Sequence, residues 1–151
     1  MTRAEFDEVF RRHMTWLLTG GKAGARGDFR GAALDGLNLH GHTLEGADME
    51  GCSLRGAELI RADLSRANLK GADLSGAFMH RALLVEADLT GANLAGAELN
   101  HANLERAQLA GAVLAGADLY EARLGNAGLV GTRFDSAMLD GALGLSDSAT
   151  G

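Results

Sequence analysis

Proline is absent from the 151 residues, and cysteine occurs once, as Cys52. A lone cysteine excludes an internal disulfide framework and a multi-cysteine metal site. Aromatic residues make up only 5% of the chain. No apolar run reaches the roughly 18 residues that a membrane-spanning helix requires. The N-terminal stretch mixes acids and bases without the apolar core of a signal peptide. A cytoplasmic location with no membrane partner is therefore expected. The charge balance is −6 at pH 7, with a pI near 5.3, which does not suit a basic nucleic-acid-binding domain. In place of the missing types stand 27 alanines, 25 leucines and 22 glycines. Leucine at this frequency is too apolar for a disordered chain.

Written in fives from Gly27, the chain is periodic. Every fifth position from Phe29 to Leu139 is large and apolar, giving 23 consecutive repeats centred on 19 leucines plus Phe29, Met49, Met79 and Phe134. Two residues earlier stands a small residue, alanine at every repeat from Ala57 to Ala127. Gly27, Leu37, His42, Cys52 and Thr132 depart from it. The position just before each centre favours Asp or Asn, as at Asp63, Asn68, Asp73 and Asn93. The last position favours glycine, without a break from Gly31 to Gly56.

A period of five suits neither regular element. On a helix, five steps of about 100° would carry the leucine around every face. On a straight strand, an odd period would send successive leucines to opposite sides. The pattern works if the chain bends once per repeat. Alanine and leucine then point inward together, and the remaining positions point out. Glycine at the bend accepts backbone angles that other residues resist. Asp and Asn can bond nearby backbone groups and support the turn.

Runs such as Ala62-Asp63-Leu64-Ser65-Arg66 and Ala72-Asp73-Leu74-Ser75-Gly76 resemble the pentapeptide-repeat family, whose consensus is A(D/N)LXX. The resemblance extends from Gly27 to Gly141. It implies an all-β solenoid: a right-handed quadrilateral β-helix with four repeats per coil and about six coils. At the ~4.8 Å spacing of stacked strands the column would be about 28 Å tall.

The chain divides into an N-terminal helix and linker (1–26), the repeat column (27–141) and a tail (142–151). Over residues 2–18, Phe6, Val9, Phe10, His13, Met14 and Leu17 follow helical spacing. Thr2 and Glu5 form a candidate capping box. So short a helix is marginal alone, and the open first coil offers it a surface, so it is expected to act as an α-helical cap. Trp16 is expected to pack on the linker. No comparable helix follows Leu139. The final repeats are thus expected to present Leu124, Leu129, Phe134, Leu139, Leu143 and Leu145 at an uncovered end, where two copies could meet as a homodimer. The alternatives are a fold-back of Gly141–Leu145 as a plug that leaves a monomer, and a dimer contact through the lateral patch of Phe78 and Leu83.

Catalysis needs converging groups, and a core of alanine and leucine leaves no cleft for them. The reading is a non-enzyme with no catalytic residues, no cofactor and no metal. His40 and His80 share a face, but two coils separate them, too far for a common metal. Cys52 is expected to point inward. Charges are mixed on every face. One outward cluster is apolar: Phe78 and Leu83 take the place of Asp or Asn, with Ile60, His80, Val85 and Tyr120 at neighbouring outward positions around the Arg81 corner. Such a grouping marks either a contact site or a scatter of residues that suit β-sheet.

The function expected from these features is a scaffold or protein-interaction module whose partner is another protein. The resemblance adds an alternative: some family members mimic duplex DNA, bind DNA gyrase and protect it from inhibitors. Arg30, Arg55, Arg61, Lys70 and Arg81 interrupt the acidic faces that such mimicry uses.

Overall fold

The computed structural model describes residues 1–145. Helix α1 (Arg3–Leu18) leads into a column of stacked four-sided coils. Each side contributes a single bridged residue. Every bridge is parallel and joins residues 20 apart, from Asp28 with Asp48 to Arg123 with Leu143. Four pentapeptides therefore make one coil.

Each repeat closes one bend. The Ala92 N–H donates to the Leu89 carbonyl at 2.9 Å, and Gly91 between them has φ +67°. An i to i+3 bond with positive φ at the third residue is the signature of a type II turn. The Asp and Asn positions brace these turns. Asp73 Oδ1 accepts from the Ser75 N–H at 3.1 Å and Asn93 Oδ1 from the Ala95 N–H at 3.2 Å. Between coils, the Leu94 N–H donates forward to the Val113 carbonyl at 2.7 Å. The Asn93 N–H donates back to the Ala72 carbonyl at 2.9 Å. The backbone's polar groups are thereby paired along the stack, as burial demands.

The inward register is the one the repeat predicts. From Ala57 to Leu124, every small residue and every centre is fully buried. Asn93 and Ala95 lie on the outer surface, half-buried. Cys52 faces inward, and burial pushes its thiol pKa up to about 12.

Helix α1 covers the first coil. Thr2 Oγ1 accepts from the Glu5 N–H at 3.2 Å, and the Thr2 N–H donates to Glu5 Oε2 at 2.7 Å, closing the capping box. Phe6 is buried and stacks on Phe29 with ring centroids 5.1 Å apart. Phe10 lies 4.8 Å from the His42 ring, which gives the histidine at an inward small position its reason. The linker passes close under α1 at Gly24, where a Cβ would come within 2.3 Å of the Arg12 carbonyl oxygen. Trp16 packs on the linker at Gly21.

At the other end Leu129, Phe134 and Leu139 are half-buried. Their N–H groups have no further coil to donate to among the described residues. The ladder runs past Gly141: Leu143 bridges Arg123, and its carbonyl accepts from the Leu124 N–H at 2.7 Å. Residues 142–143, expected to begin a tail, instead extend the column. Residues 146–151 of that expected tail lie outside the described residues.

Candidate functional site

Six of the seven predicted patch residues come together. Phe78, His80, Arg81, Leu83 and Val85 share one coil, on two sides of the Arg81 corner. Ile60 lies one coil below, where the Arg61 N–H donates to the His80 carbonyl at 2.9 Å. Phe78 and Leu83 are the most open of the apolar members, 39% and 41% exposed. Ile60, His80 and Val85 are half-buried. Phe78 and Leu83 also give up the turn-bracing bond that Asp or Asn supplies elsewhere.

Tyr120 stands apart. It belongs two coils above His80, about 10 Å along the stack, with Asn100 between. There it packs edge-on to His101, centroids 5.7 Å apart. Its hydrogen bond to Glu121 raises its phenol pKa. It forms a second, separate spot on the same side.

Polar neighbours fix the patch. His80 Nε2 lies 2.7 Å from Glu98 Oε2, and its Nδ1 contacts Asn100 Oδ1. His101 Nδ1 lies 3.1 Å from Glu121 Oε2. At the next corner Arg106 pairs with Glu86 at 3.2 Å, while Arg66 turns down to Glu45 instead of to Glu86. Glu45, Asp63, Ser65, Arg66, Val85 and Glu86 line a shallow depression of about 270 Å³. On the opposite side Arg30 Nη2 lies 2.7 Å from Asp28 Oδ2, and that guanidinium brings the Asp28 carboxyl down to about 2.

The proposed dimer end is divided in the same way. Leu124 is fully buried, one layer in, beneath Gly144. Leu129, Phe134, Leu139 and Leu145 are half-buried against the core, and Leu143 is 62% exposed. Sequence reasoning missed Val130 and Met138, which are 84% and 53% exposed on the last coil. The signal was present: Met138 occupies an Asp/Asn position, as Phe78 does.

Among the described residues, no group of three or more His, Cys, Asp or Glu could hold a metal ion. No helix is long and apolar enough to cross a membrane. What the surface offers is a firm apolar and cationic corner on a rigid wall.

The family model for pentapeptide repeats matches residues 25–51, 47–84 and 87–126, in 8 copies. No curated protein matches the chain. Among solved structures, the chain is similar to a pentapeptide repeat protein (Rfr23) from the cyanobacterium Cyanothece 51142. The two are 28% identical with a TM-score of 0.54, over 87% of this chain and 92% of that one. Full-length QnrB1, a plasmid-mediated fluoroquinolone resistance protein, is 21% identical with a TM-score of 0.51, over 80% and 73%. A pentapeptide repeat protein from the Arabidopsis thaliana thylakoid lumen is 27% identical with a TM-score of 0.48, over 80% and 72%. The fold of pentapeptide-repeat proteins is the right-handed quadrilateral β-helix, and the four-sided coils described above are that fold.

Proposed function

The chain belongs to the pentapeptide-repeat family, and on that premise we propose that it is a non-enzymatic scaffold that binds another protein through its outward faces. One observation carries this reading. The column's interior is filled by its own alanine and leucine side chains, while Phe78 and Leu83 are turned outward where the repeat supplies Asp or Asn. Exposed apolar groupings of this kind mark contact sites. The test is affinity capture from host cells with wild type and with a Phe78→Glu/Leu83→Glu variant. A protein retained by the wild type and lost with the variant supports the reading. Identical capture by both would remove it.

The C-terminal end supports a second contact, with another copy of the chain. Leu129, Phe134, Leu139 and Leu145 are half-buried there beside backbone N–H groups that find no acceptor among the described residues. Exposed strand edges recruit further strands unless they are covered, and two-fold dimers are the commonest oligomers. Light scattering reads the mass, and Phe134→Glu and Leu145→Glu test the location. A monomeric wild type would end the dimer reading.

Gyrase as the partner is the narrower reading. QnrB1 contributes the shared fold to it and no more. Several acidic positions of this column are taken by cations, among them Asp28 by Arg30 and Asp88 by Lys70. A gyrase supercoiling assay unchanged at large molar excess of this protein would close that reading.

A further inference from the structure

Nine arginines and lysines stand on the column between Gly27 and Leu145. Seven are ion-paired: Arg30 with Asp28, Arg55 with Asp73, Arg66 with Glu45, Lys70 with Asp88, Arg106 with Glu86, Arg123 with Glu105 and Arg133 with Asp135. The two that meet no carboxylate among the described residues are Arg61 and Arg81. These two occupy the same corner on successive coils, about 5 Å apart along the stack. Of the acids nearby, Glu98 contacts His80, Glu121 contacts His101 and Glu58 contacts Asn38, while Asp63 accepts from the Ser65 backbone N–H.

The backbone at this corner adds a second, independent observation. Arg61 and Arg81 have φ of 56° and 55°, the left-handed region that disfavours residues with a Cβ. The four edges of the column differ in this respect. Two carry glycine at every turn except Ser136, and the other two carry glycine only at Gly41, Gly46 and Gly141 and otherwise Arg61, Arg66, Arg81, Glu86, His101, Arg106, Glu121 and Asn126. At the glycine corners Gly56, Gly76 and Gly96, an added Cβ would meet nothing within 4 Å. A side chain at such a corner thus projects clear of the column and gains no packing from it. Two like charges stacked in strained turns, with no ion pair among the described residues, fit an anion supplied from outside.

We propose that the Arg61–Arg81 edge is the docking site for an acidic peptide segment of a partner protein. The segment carries a carboxylate between apolar side chains. The two guanidinium groups clamp the carboxylate by charge-assisted hydrogen bonds. Apolar residues on either side of it settle on Phe78 and Ile60 across one face and on Leu83 and Val85 across the next. Charge complementarity selects this occupant. Two cations on a chain of net charge −6 are too few for a nucleic-acid track, and the apolar flanks suit side chains rather than phosphates. The proposal rests on the protein-binding reading above and names the chemistry of its partner.

The test is selection of a phage-displayed library of random short peptides on the full-length protein and on Arg61→Gly/Arg81→Gly. Glycine suits both turns, so this variant keeps the fold. Enriched peptides should combine Asp or Glu with Leu, Ile or Phe. In fluorescence anisotropy they should bind the double variant at least about tenfold more weakly, with a smaller salt dependence. Enriched peptides that lack acids, bind both proteins alike and are lost on Phe78→Ser would overturn the acidic specificity while leaving the protein-binding surface. Enrichment of nothing at this edge would overturn both.

Discussion

Arg81 sits directly above Arg61, each in a left-handed turn, and neither guanidinium meets a carboxylate among the described residues. The same relationship, read as energetics, gives the first prediction. If these arginines serve a partner, the column does not need them. Arg81→Gly should leave stability unchanged or raise it by up to about 1 kcal/mol. The reverse change at an equivalent turn, Gly76→Arg, should cost roughly 1 kcal/mol, because Gly76 has φ +63°. Thermal denaturation checks both. A clear loss of stability in Arg81→Gly would make this corner part of the scaffold.

A second prediction concerns the core. Ala92 is fully buried between Leu89 and Leu94 of its own coil, with equivalent alanines above and below. Native-density packing leaves no room for three more carbons. Ala92→Leu should destabilise by about 1–3 kcal/mol or more, measured by chemical denaturation. Asn93→Leu, one residue on and half-buried outside, should cost far less.

A third prediction is a pH dependence at the lid. The Gly27 N–H donates to His13 Nδ1 at 3.0 Å, so this nitrogen must be unprotonated. His13 Nε2 is buried with no hydrogen-bond partner among the described residues. Burial first, and the Arg26 charge second, lower the His13 pKa from its ordinary 6.5. The unfolded chain therefore takes up a proton that the folded chain resists. Stability should be full above pH 6.5 and fall as the pH drops from there toward the lowered folded value. His13→Gln should flatten that part of the profile. Urea midpoints between neutral and mildly acidic pH measure it. An unchanged slope in His13→Gln would contradict the assignment.

The lid itself gives a fourth. Phe6 is fully buried and stacked on Phe29. Phe6→Ala should cost about 3 kcal/mol or more. Deleting residues 2–18 should expose the first coil and promote association through its open edge. A truncated protein that stays monomeric and equally stable would show that the first coil needs no cover.

Much of this architecture is legible in the sequence because each pentapeptide is a local instruction. Ala92 and Leu94 are inward for the same reason as their counterparts in every other coil, so the register is stated many times over. The cap was legible from Thr2, Glu5 and Phe6. The bond from Gly27 to His13 was not, since it joins residues whose only link is the geometry of the bend at the linker. Ion pairing was legible only as proximity. Arg66, Glu86 and Arg106 alternate in sign along one corner, yet only Arg106 pairs with Glu86, and Arg66 reaches Glu45 on the adjoining face. The sequence pattern groups Tyr120 with Phe78 because both occupy outward positions on the same side. The intervening Asn100 coil, a matter of height along the stack, separates them. The status of Arg61 and Arg81 emerges only once every other cation of the column has been matched with its acid.

The central claim is that the corner around Arg81 binds a partner protein while the glycine-edged sides serve as wall. Site-specific photo-crosslinking in host cells tests it most directly. A benzophenone side chain is placed at position 83, beside the corner, and separately at position 75, on a glycine-edged side. The account predicts one discrete crosslinked protein from position 83, lost on Arg61→Gly/Arg81→Gly, and none from position 75. Equal crosslinking from both positions, or a product only from position 75, would contradict it.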